Sequence, residues 1–319
     1  MTHQYRALGA FGSLIIVFLA LATSVSAATL TNPYKAFVEN DSKIQSGDID
    51  ARMAGSVEVS GELEATIEAT LEGSAVKQGR AGSYYDFIGS LNATIVTPDQ
   101  TAKLKVDAIQ KDEYAYIKIK NADNKGIKNK WIRIHEKDVE EFDDKLGTVG
   151  LLTFTTTFSS SARENELREK RRALELKHNL WISNEAPVAL KVGKFRTDAY
   201  YLEMNRDTAV AYYKELDQLL NGEDEEGTDL NFDGFREGLD SKSYMDRFVS
   251  EAWMLVAFDK ATGMPVRMAT GEEVRDVAND QTTDLFISMD TSKLNKKVKV
   301  TAPKKWMTDE EALEKLGLN

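Results

Sequence analysis

Residues 53–73, MAGSVEVSGELEATIEATLEG, alternate between nonpolar and polar side chains along their whole length. The odd-numbered positions are all nonpolar, and the even-numbered positions are Ser, Glu or Thr except for Ala54. A period of two residues is typical of β-strands that have one dry and one solvated face. The alternation therefore predicts a sheet with an extended nonpolar surface on one side.

This stretch is too long to be one straight strand. At about 3.3 Å per residue it would extend about 70 Å, which is more than a compact domain allows. A two-residue turn at Ser60 and Gly61 would place Val59 opposite Glu62 on one face, whereas a three-residue loop ending at Glu62 would pair Val59 with Leu63. We therefore predict either the three-residue loop or a continuous strand that is kinked at Gly61.

A strand pair is predicted from residues 252–275, AWMLVAFDKATGMPVRMATGEEVR. Its first seven residues are nonpolar without interruption, which favours a strand that is buried on both faces. Asp259, Thr262 and Gly263 provide the chemistry of a turn, and Pro265 lacks an N–H group, which suits the start of a returning strand. The segment is therefore predicted to be a long antiparallel hairpin.

The remaining pattern is one of neighbouring strands rather than alternating strands and helices. Further strands are predicted at 84–96, 103–110, 113–120, 130–135, 188–204, 285–289 and 297–301. Helices are predicted at 34–45, 138–146, 161–178, 207–220 and 309–316. Such an order favours an antiparallel sheet of the α+β class.

Two of the predicted helices differ in character. Helix 161–178 has many charges and few nonpolar residues, so we expect it to face solvent. Helix 207–220 is amphipathic, and its nonpolar stripe includes Tyr212, Tyr213 and Leu216. A stripe of this kind needs a nonpolar surface to cover, and we expect that surface to be the dry face of the sheet.

The N-terminal residues 1–27 have the pattern of an export signal. Arg6 is the only charged residue, residues 8–21 form a largely nonpolar core, and Val25-Ser26-Ala27 resembles a cleavage site. The same segment, over residues 7–27, is long enough to anchor the chain in a membrane if it is not cleaved. We therefore expect an exported protein, periplasmic or extracellular, with a single domain over 28–319 that includes a charged helical insertion at about 159–178 and an acidic loop at 221–240.

Composition excludes several kinds of site. The chain has 52 acidic and 41 basic residues and a net charge of −11, which argues against binding to the phosphates of nucleic acids. It contains no cysteine, so disulfides, thiolate metal sites and a lipid-modified N-terminal cysteine are all absent. No HExxH, GxSxG or phosphate-binding glycine loop is present, and we expect a protein that is not an enzyme.

One segment has the spacing of a calcium loop. Oxygen-bearing side chains stand at its positions 1, 3, 5, 9 and 12, with Gly234 at position 6. The candidate ligands are Asp229, Asn231, Asp233, Glu237 and Asp240. The alternative is an acidic surface loop with an Asp-Gly turn, since Arg236 replaces the usual nonpolar residue and no helix is predicted before the loop.

The turn sequence Phe258-Asp-Lys-Ala-Thr-Gly-Met-Pro-Val-Arg267 resembles the late hairpin of the LolA/LppX-type superfamily of bacterial lipoprotein carriers. The looser resemblance covers most of the chain after the signal. It implies a strongly curved antiparallel sheet, a half-barrel whose concave nonpolar face is covered by helices and accommodates acyl chains.

Together these patterns predict a protein that binds an apolar ligand, either a lipid or the acyl chain of a lipoprotein. The residues expected to line the concave face are Met53, Val57, Val59, Leu63, Ile67 and Leu71, with Tyr212, Tyr213 and Leu216 covering it. The same alternation would also produce a closed hydrophobic core. The alternative function is therefore an interaction module of the cell envelope, with a closed core and an acidic loop ordered by calcium.

Overall fold

The computed structural model describes residues 30–41, 43–78, 84–122, 124–146, 162–221, 251–276 and 280–318. The described helices are α1 (Pro33–Asp41), α2 (Val139–Leu146), α3 (Ala162–Lys177), α4 (Arg206–Asn221) and α5 (Asp309–Leu316). The strands are β1 (Ser46–Val59), β2 (Glu62–Gln78), β3 (Tyr84–Val96), β4 (Thr101–Lys111), β5 (Tyr114–Ile119), β6 (Ile132–His135), β7 (Trp181–Ile182), β8 (Val188–Val192), β9 (Phe195–Met204), β10 (Glu251–Asp259), β11 (Pro265–Asp276), β12 (Gln281–Ser292) and β13 (Met307–Thr308).

The described strands form one 13-stranded sheet in the order β13-β6-β5-β4-β3-β2-β1-β12-β11-β10-β9-β7, with β8 paired to β9. The described pairings are antiparallel apart from the short parallel pairing of β13 with β6. Two meanders, β1–β6 and β9–β12, are joined by antiparallel pairing of β1 with β12. The fold is thus an open, curved half-barrel of the α+β class, as the sequence predicts.

The turn between β1 and β2 differs from both predicted forms. It consists of two residues, Ser60 and Gly61, with φ angles of 53° and 77°. Positive φ at both central positions is the requirement of a type I′ hairpin, which matches the natural twist of the strands. Val59 therefore lies opposite Glu62, the pairing that strict alternation would forbid.

A register shift close to this turn restores the alternation. Glu58 is paired with Leu63, whereas Val57 is paired with Ala65, so that Glu64 is the additional residue of a β-bulge. From Ala65 onward the nonpolar positions of β2 return to the dry face. Leu63 does not, and its predicted place on that face is wrong.

The predicted hairpin at 252–275 is confirmed in β10 and β11. Its turn is stabilised by Asp259, whose carboxylate accepts a hydrogen bond of 2.7 Å from the Thr262 hydroxyl and whose backbone carbonyl accepts one of 2.7 Å from the Gly263 amide. Gly263 has a φ of 69°, the left-handed conformation that glycine adopts without strain.

Two other predicted strands are corrected. The segment 188–204 is a hairpin of β8 and β9, because Gly193 adopts a φ of 53° and reverses the chain. The segment 297–301 has no regular structure. Instead, Val300 packs against Ile109 and Tyr116 on the sheet surface.

The helices form two layers over one face of the sheet. Helices α1, α2 and α5 pack directly in the main hydrophobic cluster, through residues such as Phe37, Phe142 and Leu313. Helix α3 contacts both α1 and α4. The expectation that α3 faces solvent is wrong in its second half, where Arg172 and Glu175 are buried.

Candidate ligand-binding face

Cross-strand pairing aligns nonpolar side chains across eight strands of the sheet. One continuous row consists of Tyr200, Val256, Met268, Met289, Ala51, Leu71, Leu91 and Val106. All of these residues belong to the main hydrophobic cluster. The side of the sheet that carries this row is called the inner face below, and the opposite side the outer face.

Most of the residues predicted to line this face lie on it. Met53, Val57, Ile67 and Leu71 are buried in the main cluster, and Val59 is a partly buried residue at its edge. Leu63 is the exception, with 53% of its surface exposed. The alternation in the sequence thus selects the inner face correctly except next to the hairpin turn.

The predicted covering residues lie one layer further out than expected. Tyr212 and Leu216 are buried in a second cluster with Leu180 and Ala209, and Tyr213 packs against that cluster. They face helix α3 and its C-terminal connection rather than the inner face itself. Trp181 is the described residue that packs against both clusters.

A buried polar cluster holds these helical layers together. Glu175 of α3 accepts a short hydrogen bond from the Tyr34 hydroxyl of α1 and a second one, at 3.3 Å, from the Tyr212 hydroxyl of α4. Arg171, one turn earlier on α3, places its Nε 3.1 Å from both the Glu175 carboxylate and the Tyr212 hydroxyl. One ion pair thereby links three helices.

The electrostatics of this cluster follow from its burial. Burial, with Glu175 next to both phenols, raises the pKa of Tyr34 and of Tyr212 well above the ordinary value for tyrosine. Burial alone would lower the pKa of Arg171, but Tyr212 and Glu175 outweigh that effect and raise it. The two tyrosines therefore stay neutral donors, and Arg171 stays a cation.

One ionisable residue on the inner face is not among the residues predicted from the sequence. Glu272 of β11 is paired with Ala252 on one side and Leu285 on the other, in the same inner-face row as Gly55 and Ile67. The signal was present in the alternation of β11, because Glu272 has the same parity as Met268 and would be assigned to the same face.

The outer face carries a row of aromatic side chains. Tyr201 stacks on Trp253 with ring centroids 5.7 Å apart, and Trp253 lies 6.0 Å from Phe286 in a tilted arrangement. Tyr201 and Phe286 are 40% and 39% exposed. Exposed aromatic groups of this kind are typical of surfaces that contact other molecules.

The predicted calcium loop and the N-terminal segment lie outside the described residues, and both remain predictions. In the described part of the chain no group of three or more His, Asp or Glu residues is placed to hold a metal ion. None of the helices described here is long and apolar enough to cross a membrane.

No family model matches the chain, and no curated protein matches it. Among solved structures, the lipoprotein LppX of Mycobacterium tuberculosis is similar with 11% identity and a TM-score of 0.34, over 81% of this chain and 91% of LppX. A DUF1329 family protein from Desulfovibrio piger is 12% identical with a TM-score of 0.20, over 84% of this chain and 93% of that one. A β-barrel-like DUF1849 protein from Brucella abortus is 8% identical with a TM-score of 0.17, over 78% and 98%. All three TM-scores are low.

Proposed function

We propose that the protein is an exported, non-enzymatic binder of an apolar ligand, a lipid or the acyl chain of a lipoprotein, which lies against the inner face. The observation that carries this proposal is the nonpolar row that crosses eight strands, from Tyr200 to Val106. The resemblance of the 258–267 turn to the lipoprotein carriers supports the same class of ligand.

Glu272 favours a binding face over a closed core. A carboxyl group in a dry core is costly unless it is hydrogen-bonded. On a surface that opens to receive a ligand, the same group keeps access to water when the ligand is absent. Glu272 keeps some exposure to solvent, although its burial is sufficient to raise the pKa of its carboxyl group.

The test is binding of a fluorescent apolar probe to delipidated protein, together with native mass spectrometry of the purified protein for lipid that co-purifies. Two neighbouring residues of β3 provide a matched pair, because Ile95 packs at the edge of the inner face and Val96 is exposed on the outer face. Ile95→Gln should weaken probe binding severalfold, and Val96→Gln should leave it unchanged. Equal effects, or no binding by the unaltered protein, would refute the proposal.

The second candidate function is that of an interaction module of the cell envelope, which the exposed aromatic row on the outer face favours. In that case the inner face is a closed core and binds no probe. Truncation of the row, through Tyr201→Ala together with Phe286→Ala, would then abolish association with envelope proteins while the protein stays folded. The predicted calcium loop at 229–240 belongs to this alternative, and calcium-dependent melting would support it.

A further inference from the structure

The inner face carries a carboxyl group, that of Glu272, beside nonpolar cross-strand neighbours. Glu272 lies between Ala252 and Leu285, and beyond Leu285 the same row continues to Gly55 and Ile67. None of these side chains has a hydrogen-bond donor. Thr270 is the preceding inner-face residue of β11. Its hydroxyl donates a hydrogen bond of 2.8 Å to the Trp253 carbonyl.

The Glu272 carboxyl has no partner among the residues that the structure describes. No hydrogen bond or ion pair reaches it from that part of the chain. Burial raises the pKa of Glu272, and the positive charge of Arg171 partly opposes this rise. The Nε of Arg171 is directed to Glu175 and Tyr212, at 3.1 Å from each.

We propose that Glu272 receives the head group of an amphiphile whose polar end is a protonated amine, while the alkyl chain lies along the nonpolar row of the inner face. This inference rests on the proposed function and names the class of ligand for the same face. An ammonium group donates three hydrogen bonds, and a charge-assisted bond to a carboxylate is among the strongest in proteins. A carboxylate or phosphate head group would instead meet a like charge at Glu272.

The experiment uses three dodecyl ligands that differ only in the head group: dodecylamine, dodecanol and dodecanoate. Each compound is titrated against a complex of the delipidated full-length protein with a fluorescent apolar probe. Displacement of the probe gives the affinity of each dodecyl compound, and the three affinities are compared. We expect dodecylamine to bind at least about tenfold more tightly than dodecanoate, as one additional charge-assisted hydrogen bond would give. Dodecanol should bind with intermediate affinity.

Two variants test whether Glu272 causes the preference for dodecylamine over dodecanoate. Glu272→Gln keeps the shape of the side chain and should abolish the preference for the amine. Glu273→Gln removes a charge from the next residue of the same strand, on the outer face, and should leave the preference intact. Circular dichroism of both variants checks that they fold.

The outcomes separate this inference from the function on which it rests. If no dodecyl compound displaces the probe, the proposed function fails. If all three bind with equal affinity, or dodecanoate binds most tightly, the proposed function stands and the amine preference is wrong. The unaltered protein alone decides this, even if Glu272→Gln does not fold.

Discussion

The indole ring of Trp253 lies over Gly271 of the neighbouring strand, where a Cβ atom would come within 2.4 Å of the indole Nε1. Tyr201 flanks the same ring on one side and Phe286 on the other. Gly271 is therefore the position whose lack of a side chain lets three aromatic residues form a continuous row on the outer face.

Gly271→Ala should destabilise the protein by about 1–3 kcal/mol, because the new methyl group forces the rigid indole out of place. Urea unfolding measures this cost. The control is the same substitution in a Trp253→Ala background, where alanine should be neutral or slightly stabilising because glycine weakens strand interiors. An equal cost in both backgrounds would show that the indole is not what excludes the side chain.

The hairpin register predicts a sharp contrast between two leucines of β2. Leu71 is fully buried, and Leu71→Ala should cost about 2–5 kcal/mol. Leu63 is exposed, and Leu63→Ala should cost no more than about 0.5 kcal/mol. Urea denaturation of the two variants gives the comparison. Similar losses at both positions would favour the three-residue loop, in which Leu63 faces inward.

These two leucines also show how far the sequence determines the inner face. Alternation places Leu71 and Ile67 correctly, because one face of the sheet must bury them. It fails at Leu63, since a bulge at Glu64 changes the parity and nothing in the alternating pattern distinguishes Glu64 from Glu62. The stability of the two-residue turn at Ser60 and Gly61 outweighs the exposure of one leucine.

The helical layers show a second limit of prediction from the sequence. The nonpolar stripe of α4 was predicted with its correct residues, but a stripe does not specify which surface it covers. The contacts that decide this are distant in sequence, as Tyr34 and Glu175 are 141 residues apart. Charges such as Glu175 and Arg171 resemble those of a solvated helix face, and only the three-dimensional arrangement shows that they are buried together.

Removal of the Glu175 charge should loosen the helical layers. Glu175→Gln leaves Arg171 without its carboxylate partner in a buried site, which should cost about 3–5 kcal/mol of unfolding free energy. The matched control is Glu141→Gln on α2, which breaks an exposed pair with Lys145 and should cost far less, because solvent screens that pair. Chemical denaturation compares the two, and equal small losses would mean that the ion pair between Arg171 and Glu175 contributes no net stability.

Glu272 should make the stability of the ligand-free protein depend on pH. A carboxyl group whose pKa is raised in the folded state contributes its stability fully only below its unfolded pKa, about 4.3, and that stability is lost as the pH rises through the folded value. Glu272→Gln removes this loss. The variant should therefore be more stable than the unaltered protein at neutral pH, and the difference should shrink as the pH falls toward 4.

Thermal unfolding of delipidated protein across this pH range measures the difference, with Glu273→Gln as the control for loss of a negative charge on the same strand. A gain from Glu272→Gln that is independent of pH would mean that the pKa of Glu272 is not raised on folding. A loss of stability at neutral pH would mean that the carboxylate has a donor in the ligand-free protein. That donor would occupy the position proposed for the amine head group, so the same measurement tests whether the site is free to bind one.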